Sequence, residues 1–149
     1  MTTATVRSIA PNAFRVAPSP TLLGGYSPTS CQFHFPRQPV CPYTGADDVR
    51  AVELSRDATL WGWTAITAAP PGYAGPVPYG FGVVELVHEQ LRIVTRLTQS
   101  DPTRLAFGDA MTLVAETIAT DDDGTAVAMW AFAATKSSTA LRTEASWLA

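Results

Sequence analysis

YGFGVVELVHEQLRIVTRLT, residues 79–98, decides the fold. Its second half alternates. Leu91, Ile93, Thr95 and Leu97 fall on one side of an extended chain, and Arg92, Val94, Arg96 and Thr98 on the other. Side chains of a strand point to opposite faces in turn, so a period of two marks a half-buried strand. The first half, Tyr79 to His88, is rich in aromatic and β-branched residues. It also reads as a strand, with Tyr79, Phe81, Val83 and Val87 on one side. Glu89-Gln90 is all that separates the two runs, which predicts a tight antiparallel hairpin.

The same pattern continues outward. Upstream, Val49–Leu54 is a candidate strand, and Asp57–Ala68 is a long one rich in Thr and Trp. Pro70-Pro71-Gly72 and Gly75-Pro76 mark a loop. Downstream, Asp101 before Pro102 has the chemistry of an N-cap and first helical position, enough for one turn. Phe107-Gly108-Asp109 is a turn, and Met111–Thr117 alternates again. Asp121-Asp122-Asp123-Gly124 reads as a solvated hairpin turn leading into Thr125–Ala133, because the side-chain ligand pattern of a calcium loop is absent. Short, mostly antiparallel strands over residues 49–134 predict an all-β fold, a five-stranded oligonucleotide/oligosaccharide-binding (OB) barrel. An immunoglobulin sandwich wants seven strands.

The N-terminal third differs. Pro11, Pro18, Pro20, Pro28, Pro36, Pro39 and Pro42 exclude any long helix. Residues 1–21 read as an extended arm and 22–48 as a small irregular knuckle with a turn at Gly24-Gly25. Residues 135–149 read as a polar tail, mobile or weakly helical.

Composition narrows the function. Of 149 residues, 46% are hydrophobic and 15% charged, enough apolar content for a core and too few charges for a disordered tail protein. The net charge is −3, and Lys136 is the sole lysine, so the basic stripe of a nucleic-acid binder is missing. Residues 1–10 carry no apolar run of signal-peptide length, and no stretch approaches the roughly 18 apolar residues of a membrane span. The expectation is a cytoplasmic protein without a membrane or nucleic-acid partner.

Cys31 and Cys41 are too few for a disulfide scaffold or a four-thiolate zinc site. Cys31, His34 and Cys41 have ligand-like spacing but lack a fourth ligand. They are the only plausible zinc ligands, and no cofactor is expected. A catalytic pair of either cysteine with His34 or His88 has no motif behind it. Trp61 and Trp63, two residues apart on one strand, would share a face, either as a stacking surface or as core. Arg92 and Arg96 share the face opposite the apolar set and could grip phosphates.

From about Leu22 to Ala133 the chain resembles the acyl-CoA-associated zinc-ribbon/OB-fold proteins, the domain of unknown function thirty-five. The resemblance rests on the order of Phe35-Pro36-Arg37, Cys41-Pro42-Tyr43-Thr44-Gly45, Trp61-Gly62-Trp63-Thr64, Pro70-Pro71-Gly72-Tyr73 and Pro78-Tyr79. It continues through Val83-Val84-Glu85-Leu86, Leu91 to Leu97, Asp101-Pro102 and Phe107-Gly108-Asp109-Ala110-Met111. It departs from the family in the knuckle. Ser27, Ser30 and Thr44 stand where three of four thiolates belong, and Cys31 stands at the usual glycine position. The resemblance therefore implies a degenerate, rubredoxin-like zinc ribbon before the barrel. A structural zinc contributes about 10–16 kcal/mol of apparent binding free energy in small finger peptides. Its loss calls for a substitute: an aromatic mini-core of Tyr26, Phe33, Phe35, Val40 and Tyr43, or a partner's clamp.

The resemblance further implies a non-catalytic accessory subunit. It would dock to a thiolase-like or ketosynthase-like acyltransferase, or to an aldolase or hydratase, and help position acyl-thioester substrates in polyketide-type biosynthesis or acyl-CoA degradation. Arg92, Arg96, Tyr73 and Phe81 are the residues expected to touch acyl-CoA or the partner. The alternatives are a single-stranded nucleic-acid module built on Trp61, Trp63 and the arginine strand, and a small stand-alone Cys/His enzyme.

Overall fold

The computed structural model describes residues 5–135; residues 1–4 of the arm and 136–149 of the expected tail lie outside it. Ten strands are described: β1 (Val6–Ser8), β2 (Phe14–Arg15), β3 (Thr21–Ser27), β4 (Gln32–His34), β5 (Arg50–Glu53), β6 (Asp57–Ile66), β7 (Tyr79–Leu86), β8 (Leu91–Leu97), β9 (Ala110–Thr120) and β10 (Ala126–Ala134). Strands β6 to β10 close into a barrel in the order β6-β7-β8-β10-β9, with β9 returning to β6. Every barrel pair is antiparallel except β8–β10, which is parallel. This is the five-stranded OB architecture, and closure leaves no barrel edge unpaired. Among the described residues no helix is long and apolar enough to cross a membrane.

The hairpin at residues 79–98 forms as its alternation predicts, with Leu86 paired to Leu91. Its turn is wider than Glu89-Gln90 alone. Val87 to Gln90 make it, and Gln90 adopts φ 54°. Leu91, Ile93, Thr95 and Leu97 are buried as expected. On β7 the buried face is the other one: Gly80, Gly82, Val84 and Leu86. The two glycines allow it. A Cβ on Gly80 would stand 2.7 Å from the Leu97 carbonyl oxygen, and one on Gly82 would stand 3.0 Å from Trp63 Cα. The turn before β9 also follows its sequence: Asp101 Oδ1 accepts from Thr103 N–H at 3.0 Å, capping a 3-10 turn over Pro102–Arg104.

The N-terminal third departs from expectation at Gly24-Gly25 and at residues 50–53, while its extended arm finds partners. The arm is woven in: β1 lies parallel to β10, and Arg7 grips Asp121 at 2.7 and 3.1 Å, tying down the 121–124 turn. Phe14 and Leu22 are fully buried in one core with Leu60, Val84, Met111, Leu113 and Phe132. Each such burial is worth roughly 1.5–3 kcal/mol, so the arm, through Phe14, and the start of the knuckle, through Leu22, help hold the barrel together. Gly24-Gly25 is no turn; it sits inside β3. A Cβ on Gly25 would strike the His34 ring, so the glycine makes room for that buried side chain. Finally, Arg50–Glu53, expected to begin the barrel, pairs with β3 in the small sheet instead.

Candidate functional site

The outward face of β6, β7 and β8 gathers most of the residues singled out above. Arg92 and Glu85 are cross-strand partners, as are Arg96 and Phe81. Four residues of extended chain separate the two arginines by about 13 Å, so they build two separate nests, not one phosphate clamp.

The first nest is exposed. The Arg92 guanidinium lies over the Trp61 ring, 3.6 Å from its centroid, and pairs with Glu85 at 3.7 Å. Trp61 Nε1 donates to Glu85 Oε2 at 3.3 Å. Phe107 meets Trp61 edge to face at 5.4 Å and is 65% exposed. Nearby on the same face, Val94 is 57% exposed, opposite the half-buried Val83. Four side chains thus lock one another into a rigid, amphipathic ridge beside open apolar surface.

The second nest is buried. The loop after β6 brings Tyr73 against Tyr79, ring centroids 5.1 Å apart, with the Tyr73 hydroxyl donating to the Pro76 carbonyl at 2.9 Å. The Arg96 guanidinium sits 4.3 Å from the Tyr79 centroid and 5.5 Å from that of Tyr73. It donates to Glu116 Oε1 at 2.7 Å, and the residue is only 8% exposed. Burial opposes its charge, but Glu116 and Tyr73 outweigh that and hold its pKa above the ordinary value. Each arginine therefore already holds a carboxylate.

Trp61 and Trp63 do not share a face. The β6–β7 register shifts between Leu60 and Gly62, leaving Trp61 in a bulge. An extra residue in one strand inverts the period-two alternation beyond it. Trp61 therefore points out, while Trp63 packs against the core and donates to the Pro102 carbonyl at 3.0 Å. The two-tryptophan stacking platform is not formed.

The cysteines and histidines do not make a catalytic pair. Cys31 is exposed, its Sγ 3.3 Å from the Pro28 carbonyl, and His88 is exposed in the hairpin turn. His34 is 2% exposed, its Nε2 accepts from Gln38 N–H at 3.1 Å, and burial lowers its pKa. Cys41 is buried beside Ser30 and Thr44, whose hydroxyls lower its pKa to about 7. Among the described residues no three His, Cys, Asp or Glu side chains gather into a metal-holding group, so Cys31, His34 and Cys41 are not brought together as ligands. The knuckle's donors are one thiol and the hydroxyls of Ser27, Ser30 and Thr44, a set that does not fit zinc.

Nor is there a closed aromatic mini-core. Tyr26 contacts Phe33 at 4.7 Å and Phe35 contacts Trp130 at 5.3 Å, but Val40 and Tyr43 are exposed. Sequence reading missed Glu85, Phe107, Glu116 and Asp48. Each acts through a residue distant in the chain, so no local motif announces it.

Residues 51–116 match the family model described as ChsH2, C-terminal OB-fold domain. A Pyrococcus furiosus protein described as a DUF35 domain-containing scaffold protein is 28% identical over 91 residues. The match covers 60% of this chain and 66% of that relative's length. Among solved structures, the Ltp2-ChsH2(DUF35) aldolase superposes with a TM-score of 0.61 at 22% identity, over 78% of this chain and 86% of the other.

Proposed function

We propose that this chain, whose residues 51–116 match the ChsH2 C-terminal OB-fold model, is a DUF35-type non-catalytic accessory subunit. It docks to a catalytic partner that works on acyl thioesters: a thiolase-like or ketosynthase-like acyltransferase, or an aldolase or hydratase. The names of the relatives, a scaffold protein and a component of an aldolase structure, support that class of role. Two free thiols suit a reducing cytoplasm.

One observation carries the reading. The molecule has no assembled nucleophile and base among its described residues, yet it presents an ordered, solvent-facing ridge of Trp61, Arg92, Glu85 and Phe107 beside Val94. Aromatic and arginine side chains dominate the energetics of protein interfaces. Locking them in place before binding lowers the entropy lost on docking. In this role Arg92 and Phe81 line the outward face toward the partner or its acyl-CoA, while Arg96 and Tyr73 hold that face in shape.

The test is recovery of the complex. The tagged chain, purified from its native cell, should bring down a thiolase-fold, aldolase or hydratase protein whose turnover collapses when the chain is removed and returns when it is added back. Full turnover of that enzyme without the chain would sink the proposal.

A further inference from the structure

Residues 27–31 and 41–45 are two copies of one turn. Cys31 N–H donates to the Ser27 carbonyl at 2.7 Å, and Gly45 N–H donates to the Cys41 carbonyl at 2.8 Å. Both end in the left-handed region, at Cys31 with φ 55° and Gly45 with φ 79°. Ser27 and Ser30 therefore stand in the first turn as Cys41 and Thr44 stand in the second. Their four side chains converge. Ser27 Oγ is 3.2 Å from Ser30 Oγ, Ser30 Oγ is 2.6 Å from Thr44 Oγ1, and the buried Cys41 lies beside the Ser30 and Thr44 hydroxyls, which lower its pKa. Two paired turns presenting residues at i and i+3 make the frame on which proteins hold a tetrahedral zinc ion.

The frame is present, but the ligands are wrong. Serine and threonine hydroxyls keep their protons at neutral pH and bring no charge to a divalent cation. Here those protons are used inside the protein. Ser27 Oγ donates to Asp48 Oδ1 at 2.6 Å. The other carboxylate oxygen accepts from Thr29 N–H at 2.8 Å and from Thr29 Oγ1 at 2.6 Å. The Ser27 and Thr29 hydroxyls hold Asp48 at a pKa of about 2, so it is charged throughout the neutral range. Asp48 thereby ties the first turn to the segment just after the second, linking what a shared metal would have linked.

We propose that the cluster of Ser27, Ser30, Cys41 and Thr44, anchored by Asp48, replaces a zinc ion: the knuckle folds without metal on a backbone still shaped for one. The role is internal to the chain and is independent of any partner.

Elemental analysis and thermal melts of the full chain, expressed with added zinc, test this. The wild type should carry no stoichiometric zinc, and its Tm should ignore EDTA. Asp48→Asn and Ser27→Ala should each lower Tm by several degrees. The Ser27→Cys/Ser30→Cys/Thr44→Cys variant should bind one equivalent of zinc, give a thiolate–cobalt absorption spectrum with Co²⁺, and acquire an EDTA-sensitive Tm. If that variant does not fold, Ser30→Cys/Thr44→Cys supplies three thiolates with Cys41 and is read in the same way. Equimolar zinc retained by the wild type would overturn the proposal. So would an unchanged Tm in both single variants, or a folded cysteine variant that takes up no metal.

Discussion

Arg92 sits over the ring of Trp61, 3.6 Å from its centroid, and both side chains reach the same Glu85 carboxylate. The contact holds the tryptophan upright on the surface with 39% of the residue still exposed. Its value lies in what docks against it, and that gives the first prediction. Trp61→Ala and Phe107→Ala should each leave the fold intact by circular dichroism; the 65%-exposed Phe107 should cost no more than about 0.5 kcal/mol of stability, and Trp61, which loses its contacts with Arg92 and Glu85, about 1–2 kcal/mol. Each should weaken the purified partner's binding by about 2 kcal/mol, roughly thirtyfold, measured by calorimetry. Affinities within twofold of wild type would remove this face from the interface.

The Arg96–Glu116 pair behaves differently because it is buried. Glu116→Ala strands a guanidinium in a residue that is 8% exposed, with two tyrosine rings over it and no carboxylate. Uncompensated buried charge is strongly destabilising. Glu116 keeps some solvent access, so a loss of about 2–3 kcal/mol is expected in urea unfolding with an unchanged m-value. Glu116→Gln, which keeps an acceptor, should lose less. Equal losses in the two variants would show that packing, not charge, is what Glu116 supplies.

Acid should unfold the knuckle in two windows. Burial lowers the pKa of His34 in the folded chain, while the unfolded histidine titrates near about 6.5. Above that pH His34 is neutral in both states and adds no pH dependence of its own. Below it the unfolded chain takes up a proton that the folded chain refuses, so stability falls as pH drops. Asp48 acts lower. Its stabilisation is complete above the unfolded value near about 3.9 and disappears as pH falls toward the folded value of about 2. His34→Gln should abolish the first decline and Asp48→Asn the second, as followed by denaturant midpoints against pH. A first decline that survives in His34→Gln would have to come from another group.

Cys31 occupies left-handed backbone, φ 55°, where a β-carbon is unfavourable. Cys31→Gly should therefore raise stability by about 0.5–1 kcal/mol despite glycine's greater freedom in the unfolded chain. The same variant identifies the reactive thiol. Native protein should react with a disulfide reagent at one fast site, Cys31, and at Cys41 only on unfolding. Cys31→Gly should abolish the fast phase, and its persistence would mean that Cys41 is reached through opening of the knuckle.

Much of the barrel was legible because its information is local. The alternation of Leu91 to Leu97, the Asp101 cap and the glycine at position 124, with φ 87°, each depend on neighbours within a few residues. The exposed ridge was half legible. Arg92 could be placed on the outward face, but Phe107 reaches it from a turn, and nothing in the turn residues says which way that ring points.

By itself the sequence determined the class of fold and most of the turns, because side-chain period and turn chemistry are properties of short segments. Tertiary structure alone decided where those segments meet. One bulged residue sends Trp61 outward and Trp63 inward; the room left by Gly25 seats His34; Glu116 lets Arg96 stay charged while buried; and Asp48 closes the knuckle. The common reason is that strand register and buried charge are set by partners distant in sequence, whose approach is settled only when the whole core packs.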